Sequence, residues 1–242
     1  MNRPWAEITG FCIQTNEAAC GAVTVEAINI IVSDNDITNI SGSGIEIRAT
    51  GPNIVVRDCE IHNCGAWGVD ARGATPSIYD NSIYENGMGG VVFNEAAGIL
   101  SNNRISNNGF YGVLATGGMV EPSVLTIDDN QIRGHSTAGV SVAGGQVRIL
   151  GNDIFGFLEV GNGIEVSTSG VAHIVGNTIA NCGGSGIALN TPEHIGPSQV
   201  VGNNIWYNTL GISGGPGCPY GVVSSNIIIQ NNVQDITYIA PT

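Results

Sequence analysis

The sequence predicts an all-β fold, a right-handed parallel β-helix (solenoid) of about ten coils with three short strands per coil. Three observations carry the prediction. A unit of 22 to 27 residues recurs along the whole chain. Apolar residues alternate within each unit, and the composition favours strands and tight turns over helices.

The repeat is marked by Asn-x-Ile: Asn35-Asp36-Ile37, Asn81-Ser82-Ile83, Asn103-Arg104-Ile105, Asn130-Gln131-Ile132, Asn152-Asp153-Ile154, Asn177-Thr178-Ile179, Asn203-Asn204-Ile205 and Asn226-Ile227-Ile228. Phe11-Cys12-Ile13 opens the series, and Cys59-Glu60-Ile61 fills the second gap. Three residues before each marker stands an aliphatic residue, from Ile8 to Val223. About nine residues after it comes Gly followed by Ile or Val, as in Gly44-Ile45, Gly68-Val69 and Gly163-Ile164. Alternation at period two gives three half-buried strands per unit. Successive coils rise by roughly 4.8 Å, so equivalent residues stack into columns. The Asn column suits the bend, because Asn tolerates a left-handed backbone and its amide bonds along a stack. Asn39, Asn63, Asn86, Asn107, Asn108, Asn181, Asn208 and Asn231 are expected to line the next bend in the same way. A leucine-rich solenoid would use Leu heavily, whereas this chain has 7 Leu against 31 Ile.

The 242 residues carry 36 Gly and 26 Asn, and the repeat leaves no linker. One β-helix domain over residues 1–242 is expected, and a fragment of a longer chain would read the same way. The net charge is −13, with seven Arg and no Lys. Nucleic acid is therefore not an expected partner, since phosphate backbones are gripped by basic side chains. No apolar run reaches membrane-spanning length, so no membrane insertion is expected. Six Cys form no CxxC pair, which disfavours a zinc site. Cys59, Cys64 and Cys182 read as buried thiols, while Cys12 and Cys20 share one coil and are candidates for a bridge. No amphipathic helix caps either end, which leaves self-association through uncapped ends, or closure by residues 1–6 and 235–242, as expectations.

The Asn-x-Ile and Gly-Ile/Val-x-Val/Ile blocks, clear over residues 147–166, resemble the pectate-lyase-like superfamily of right-handed β-helices. The resemblance is to its generic repeat group, which includes periplasmic copper-accessory and surface carbohydrate-processing proteins. It implies an extracellular or periplasmic location and a groove on the strand that begins at the Gly-Ile/Val block. On that strand the outward positions include Glu26, Glu46, Arg48, Asp70 and Arg72, with Asn94 following. Glu46 and Asp70 should lie one coil apart.

Three chemistries follow for Glu46, Asp70, Arg48 and Arg72 as candidate catalytic residues. A carboxylate pair performs acid–base glycoside hydrolysis. Glu26, Glu46 and Asp70 chelating Ca²⁺ beside an Arg resembles calcium-dependent pectate lyases, although no diagnostic lyase motif is present. A surface ladder neutralised by Arg is the non-catalytic reading. Trp67, Phe110 and Tyr111 precede the Gly of their coils and are expected, with Asn94, to bind sugar. The favoured ligand is a uronate-containing polysaccharide, and the rival function is a non-catalytic scaffold, an adhesin or a phage-fibre-like module. His62 and Tyr84 share a column and form a weaker acid–base candidate. His135, His173 and His194 fall in different columns, and residues 214–219 read as a turn-rich insertion. Asp128-Asp129 and Gly134-His135 match fragments of the polygalacturonase signature but lack its other parts, and the Asp-Pro-His-Asp signature of mannuronan epimerases is absent.

Overall fold

The structure is a computed structural model that describes residues 5–117, 124–157, 160–190, 198–215 and 222–238. His194 and residues 216–219 of the expected insertion lie outside these segments. The chain winds as a parallel β-solenoid, and no described residue is in an α-helix.

The first coil sets the pattern with strands Ala6–Thr9, Cys12–Thr15 and Val23–Val25. The second repeats it with Ile30–Ser33, Asp36–Asn39 and Ile45–Ile47. The marker strands stack into one 10-stranded sheet, from Cys12–Thr15 to Ile227–Ile229, which matches the ten expected units. The other two stacks fuse into an 18-stranded sheet. They meet in two long strands, Ala138–Leu150 and Asn162–Val175, where a register shift between Val142 and Gly144 replaces a turn. That fusion is not apparent from the repeat, because Gly144-Gly145 reads as a break.

The expected columns fill the interior. Ile37, Ile61, Ile83, Ile105, Ile132, Ile154, Ile179 and Ile205 have no exposure, and neither do Val32, Val56, Ile78, Leu100 and Ile127. In the third strands Ile45, Val69, Val91, Val113, Val140, Ile164 and Ile187 close the core. Close approach requires the preceding Gly at Gly44, Gly68, Gly90, Gly112, Gly163 and Gly186. A Cβ on Gly90 would lie 2.6 Å from the Gly112 carbonyl oxygen and 2.6 Å from Ile105 Cγ2.

The asparagines divide the work differently from the expectation. The marker Asn does not carry the left-handed backbone. The residue before it does, at Asp34, Asp58, Asp80, Asn102, Asp129, Gly151, Gly176, Gly202 and Ser225. The marker side chain turns inward and builds a ladder. Asn81, Asn103, Asn130, Asn152, Asn177 and Asn203 each donate from Nδ2 to the Oδ1 of the next Asn, at 2.9 to 3.0 Å. Each same Oδ1 also accepts from a backbone N–H, so the corner's orphan donors are satisfied inside the core.

At the next bend the same partition holds. Asn86 bonds Asn108, and Asn208 bonds Asn231. Asn63, Asn107 and Asn181 instead supply the positive φ one residue earlier. Between those pairs His135 takes a ladder position, fully buried, with Nδ1 3.3 Å from the Asn108 carbonyl oxygen. Burial pushes its pKa down to about 4, against hydrogen bonds to the Asn108 and Ile105 backbone that favour the proton.

Candidate functional site

Register decides the site. The strand Ile45–Ile47 pairs in parallel with Trp67–Arg72, and the rung Glu46↔Asp70 lies between Ile45↔Val69 and Ile47↔Ala71. Because the flanking Ile, Val and Ala side chains must face the core, Glu46 and Asp70 must face outward together. They do, yet they are only 4% and 5% exposed. The loop at Ala18, Ala19 and Cys20 and the ring of Trp67 wall them in beside a half-open pocket of about 320 Å³. Gly42, Ser43, Ala66, Met88 and Arg72 complete its lining.

Charge in the pocket is closely paired. Arg72 Nη1 lies 3.3 Å from Glu46 Oε1, and Arg72 Nη2 lies 2.6 Å from Asp70 Oδ2. Arg72 Nε donates to Asp70 Oδ1 and Oδ2 at 3.1 and 3.2 Å. The hydrogen bond to Asp70, then the charges of Asp70 and Glu46, hold Arg72 above its ordinary pKa. Glu46 Oε2 accepts from Arg48 Nη2 at 2.8 Å and from the Gly21 N–H at 3.2 Å. Arg48 also reaches Glu26, at 3.7 Å.

This arrangement differs from the expected Ca²⁺ cage of Glu26, Glu46 and Asp70. Both oxygens of Glu46 and both of Asp70 point at guanidinium groups. Among the described residues no group of three or more Asp, Glu, His or Cys side chains is placed to hold a metal ion. The residues present do not fit Ca²⁺, and no step is derived through it.

Aromatic residues form the upper border. Trp67, at 9% exposure, leans over Gly89, where a Cβ would sit 2.2 Å from Trp67 Cζ3. Gly89 pairs with Trp67 on one side and Tyr111 on the other. The Trp67 and Tyr111 rings lie 6.3 Å apart at 12°. Phe110 and Met88 stand in the neighbouring column, both exposed, outside the core. Asn94 pairs with Arg72 in register and is exposed.

Sequence reasoning therefore located Glu46, Asp70, Arg72 and Trp67 in one pocket, with Arg48 and Glu26 joined to it by ion pairs. Phe110, Tyr111 and Asn94 border it without lining it. It missed Cys20, Ser43, Met88 and the Gly21 N–H. Met88 was findable, because it precedes Gly89-Gly90 as Phe110 precedes Tyr111-Gly112. The loop over residues 16–21 belongs to no repeat column and gave no signal.

Two weaker expectations change. Cys12 and Cys20 are both free thiols. His62 and Tyr84 do stack, 4.8 Å apart at 1°, but as a surface network. His62 Nε2 lies 2.9 Å from Asp36 Oδ1, and the Tyr84 hydroxyl donates to Glu60. That hydrogen bond pushes the Tyr84 pKa up to about 12, so the phenol keeps its proton near neutrality.

Fold and site together describe a parallel β-solenoid with a walled pocket on a strand of its larger sheet. Comparison with known proteins agrees. The family described as "Right handed beta helix region" matches residues 119–240, and the chain belongs to that family. No curated protein matches the sequence. Among solved structures the chain is similar to the Azotobacter vinelandii mannuronan C-5 epimerase AlgE6 A-module. Identity is 20%, the TM-score is 0.59, and the match covers 83% of this chain and 64% of that one. It is also similar to the AlgE4 A-module of the same organism, at 14% identity, TM-score 0.56, and 96% and 90% coverage. The Dettilon tailspike protein (gp208) matches at 14% identity and TM-score 0.54, over 94% of this chain and 60% of that one. The chain thus spans under two thirds of the length of AlgE6 and of the tailspike. At these identities the likeness establishes the fold.

Proposed function

We propose that the protein is an extracytoplasmic β-helix that binds polysaccharide in the pocket over Glu46, Asp70 and Trp67. The observation that carries this reading is the combination within one cavity: a fixed carboxylate–guanidinium floor under an indole ring. Its volume of about 320 Å³ lies in the range of small-ligand clefts. The floor offers hydrogen-bond partners to hydroxyls, and rings suit the apolar faces of sugars. Two of the solved structures with this fold are modules of mannuronan C-5 epimerases, enzymes named for a polysaccharide, which supports the ligand class.

Retention of the protein in affinity gels containing soluble polysaccharides tests the reading. Binding to at least one polymer is expected, and its loss in Trp67→Ala with an unchanged melting temperature locates the site. A broad panel with no retention would sink the proposal. Processing of the bound polymer is a second reading, favoured by two adjacent buried carboxylates. Reducing ends or ultraviolet-absorbing unsaturated products, formed by the wild type and not by Glu46→Gln or Asp70→Asn, would establish it.

A further inference from the structure

We infer that the ligand class of this pocket is a neutral polysaccharide, and that polyuronates are excluded. The inference rests on the polysaccharide reading and narrows it.

The positive charge at the pocket is already committed. Among the described residues Arg72 is the sole cation lining the pocket, and it faces two carboxylates, Glu46 and Asp70. Arg48, the next cation, is divided between Glu46 and Glu26. The five side chains sum to a charge of −1, in a chain of −13 without lysine. A uronate carboxylate at Arg72 would be the third on one guanidinium. It would also meet the buried carboxylates of Asp70 and Glu46 beside it. None of the other described arginines lines the pocket; Arg57 is paired with Glu7 and Asp58, and Arg133 lies over the Phe155 ring.

A neutral sugar meets no such obstacle. Guanidinium carries five N–H donors; hydrogen bonds to Asp70 engage two of them, and Nη1 faces Glu46 in an ion pair. The remaining donors suit hydroxyl oxygens, and Arg72 is 53% exposed at its side chain, so they are reachable. The indole and the exposed thioether of Met88 supply apolar contact that carries no charge preference.

The experiment uses the full chain in affinity electrophoresis against two sets of polymers. One set is neutral (glucans, mannans, galactomannan), and the other is polygalacturonate and polymannuronate. Both are run at about 20 and about 300 mM NaCl, below and above the ionic strength at which surface charge is strongly screened. The expected result is retention by a neutral polymer with less than about a twofold change across salt. Trp67→Ala should weaken it about tenfold, the loss of one well-buried apolar contact. Should Trp67→Ala fold poorly, Met88→Ala at its exposed position serves instead, and a retention unchanged in that variant counts against the pocket. Retention by uronate polymers alone, falling with salt, overturns this inference and leaves the polysaccharide reading standing. No retention by either set overturns that reading, and this inference with it.

Discussion

Replacing Asn152 by alanine tests the ladder on which the fold depends. Asn152 is fully buried. Its Nδ2 donates to the Ile127 and Leu150 carbonyl oxygens, both at 2.9 Å, and faces Asn177 Oδ1 at 3.0 Å. Its Oδ1 accepts from the Asn130 N–H at 2.9 Å and from Asn130 Nδ2 at 3.0 Å. Truncation strands the buried Asn130 N–H and takes one partner each from Asn130 Nδ2 and the Ile127 carbonyl. Each unsatisfied buried group costs about 1–3 kcal/mol, so a loss of about 4 kcal/mol is expected. Urea unfolding followed by circular dichroism reads it as a lower midpoint at constant slope. Asn94→Ala, at an exposed position, is the control and should change stability by less than about 0.5 kcal/mol. Equal, small effects at both positions would refute the claim that the inward amides hold the corner.

His135 makes stability pH-dependent. Its folded pKa is lowered to about 4 from an ordinary 6.5, so the unfolded chain takes up the proton first as pH falls. Stability from this group is complete above about pH 6.5 and declines toward pH 4, by about 2 kcal/mol between pH 7 and 5. His135→Asn should flatten that part of the profile, as measured by urea midpoints at the two pH values. Arg72→Leu should cost about 3 kcal/mol at neutral pH by leaving Glu46 and Asp70 buried together, and the loss should shrink on acidification in thermal melts. Thiol labelling of the native protein, read by mass spectrometry, should modify exposed Cys12 well before Cys64 or Cys182. Burial pushes Cys64 up to about 11 and Cys182 higher still, which suppresses the reactive thiolate.

The solenoid was legible because its cause is periodic. One Ile column from Ile13 to Ile228 fixes which face of every marker strand is buried, and a one-residue slip would expose all of it. The division of roles within each corner was harder to read. Asn is suited both to positive φ and to an amide ladder, so its presence alone does not say which it performs. The preceding column does. Asp34, Asp58, Asp80, Gly151, Gly176 and Gly202 share little except tolerance of the left-handed region, whereas the marker column is nearly uniform. A column that varies among turn-formers marks the backbone conformation, and a column that repeats one amide marks the ladder. His135 escaped this logic because imidazole replaces the amide without its sequence signature.

The pocket divides along the same line. Stacking of Glu46 on Asp70 followed from register alone, and so did the proximity of Trp67. Closure did not, because the covering loop falls in no column, even though a residue of the repeat holds it: Asn39 Nδ2 donates to the Glu17 and Cys20 carbonyls. The fate of the charges was available in the sequence. Residues two apart on a strand share a face, so Glu46-x-Arg48 and Asp70-x-Arg72 each place a guanidinium beside the carboxylate of their own strand. The spacing that brings the two acids together also brings the arginines that neutralise them. A cation cage needs acids whose strand partners at two residues' distance are not basic, and that criterion distinguishes an ion-paired floor from a metal site before any coordinates exist.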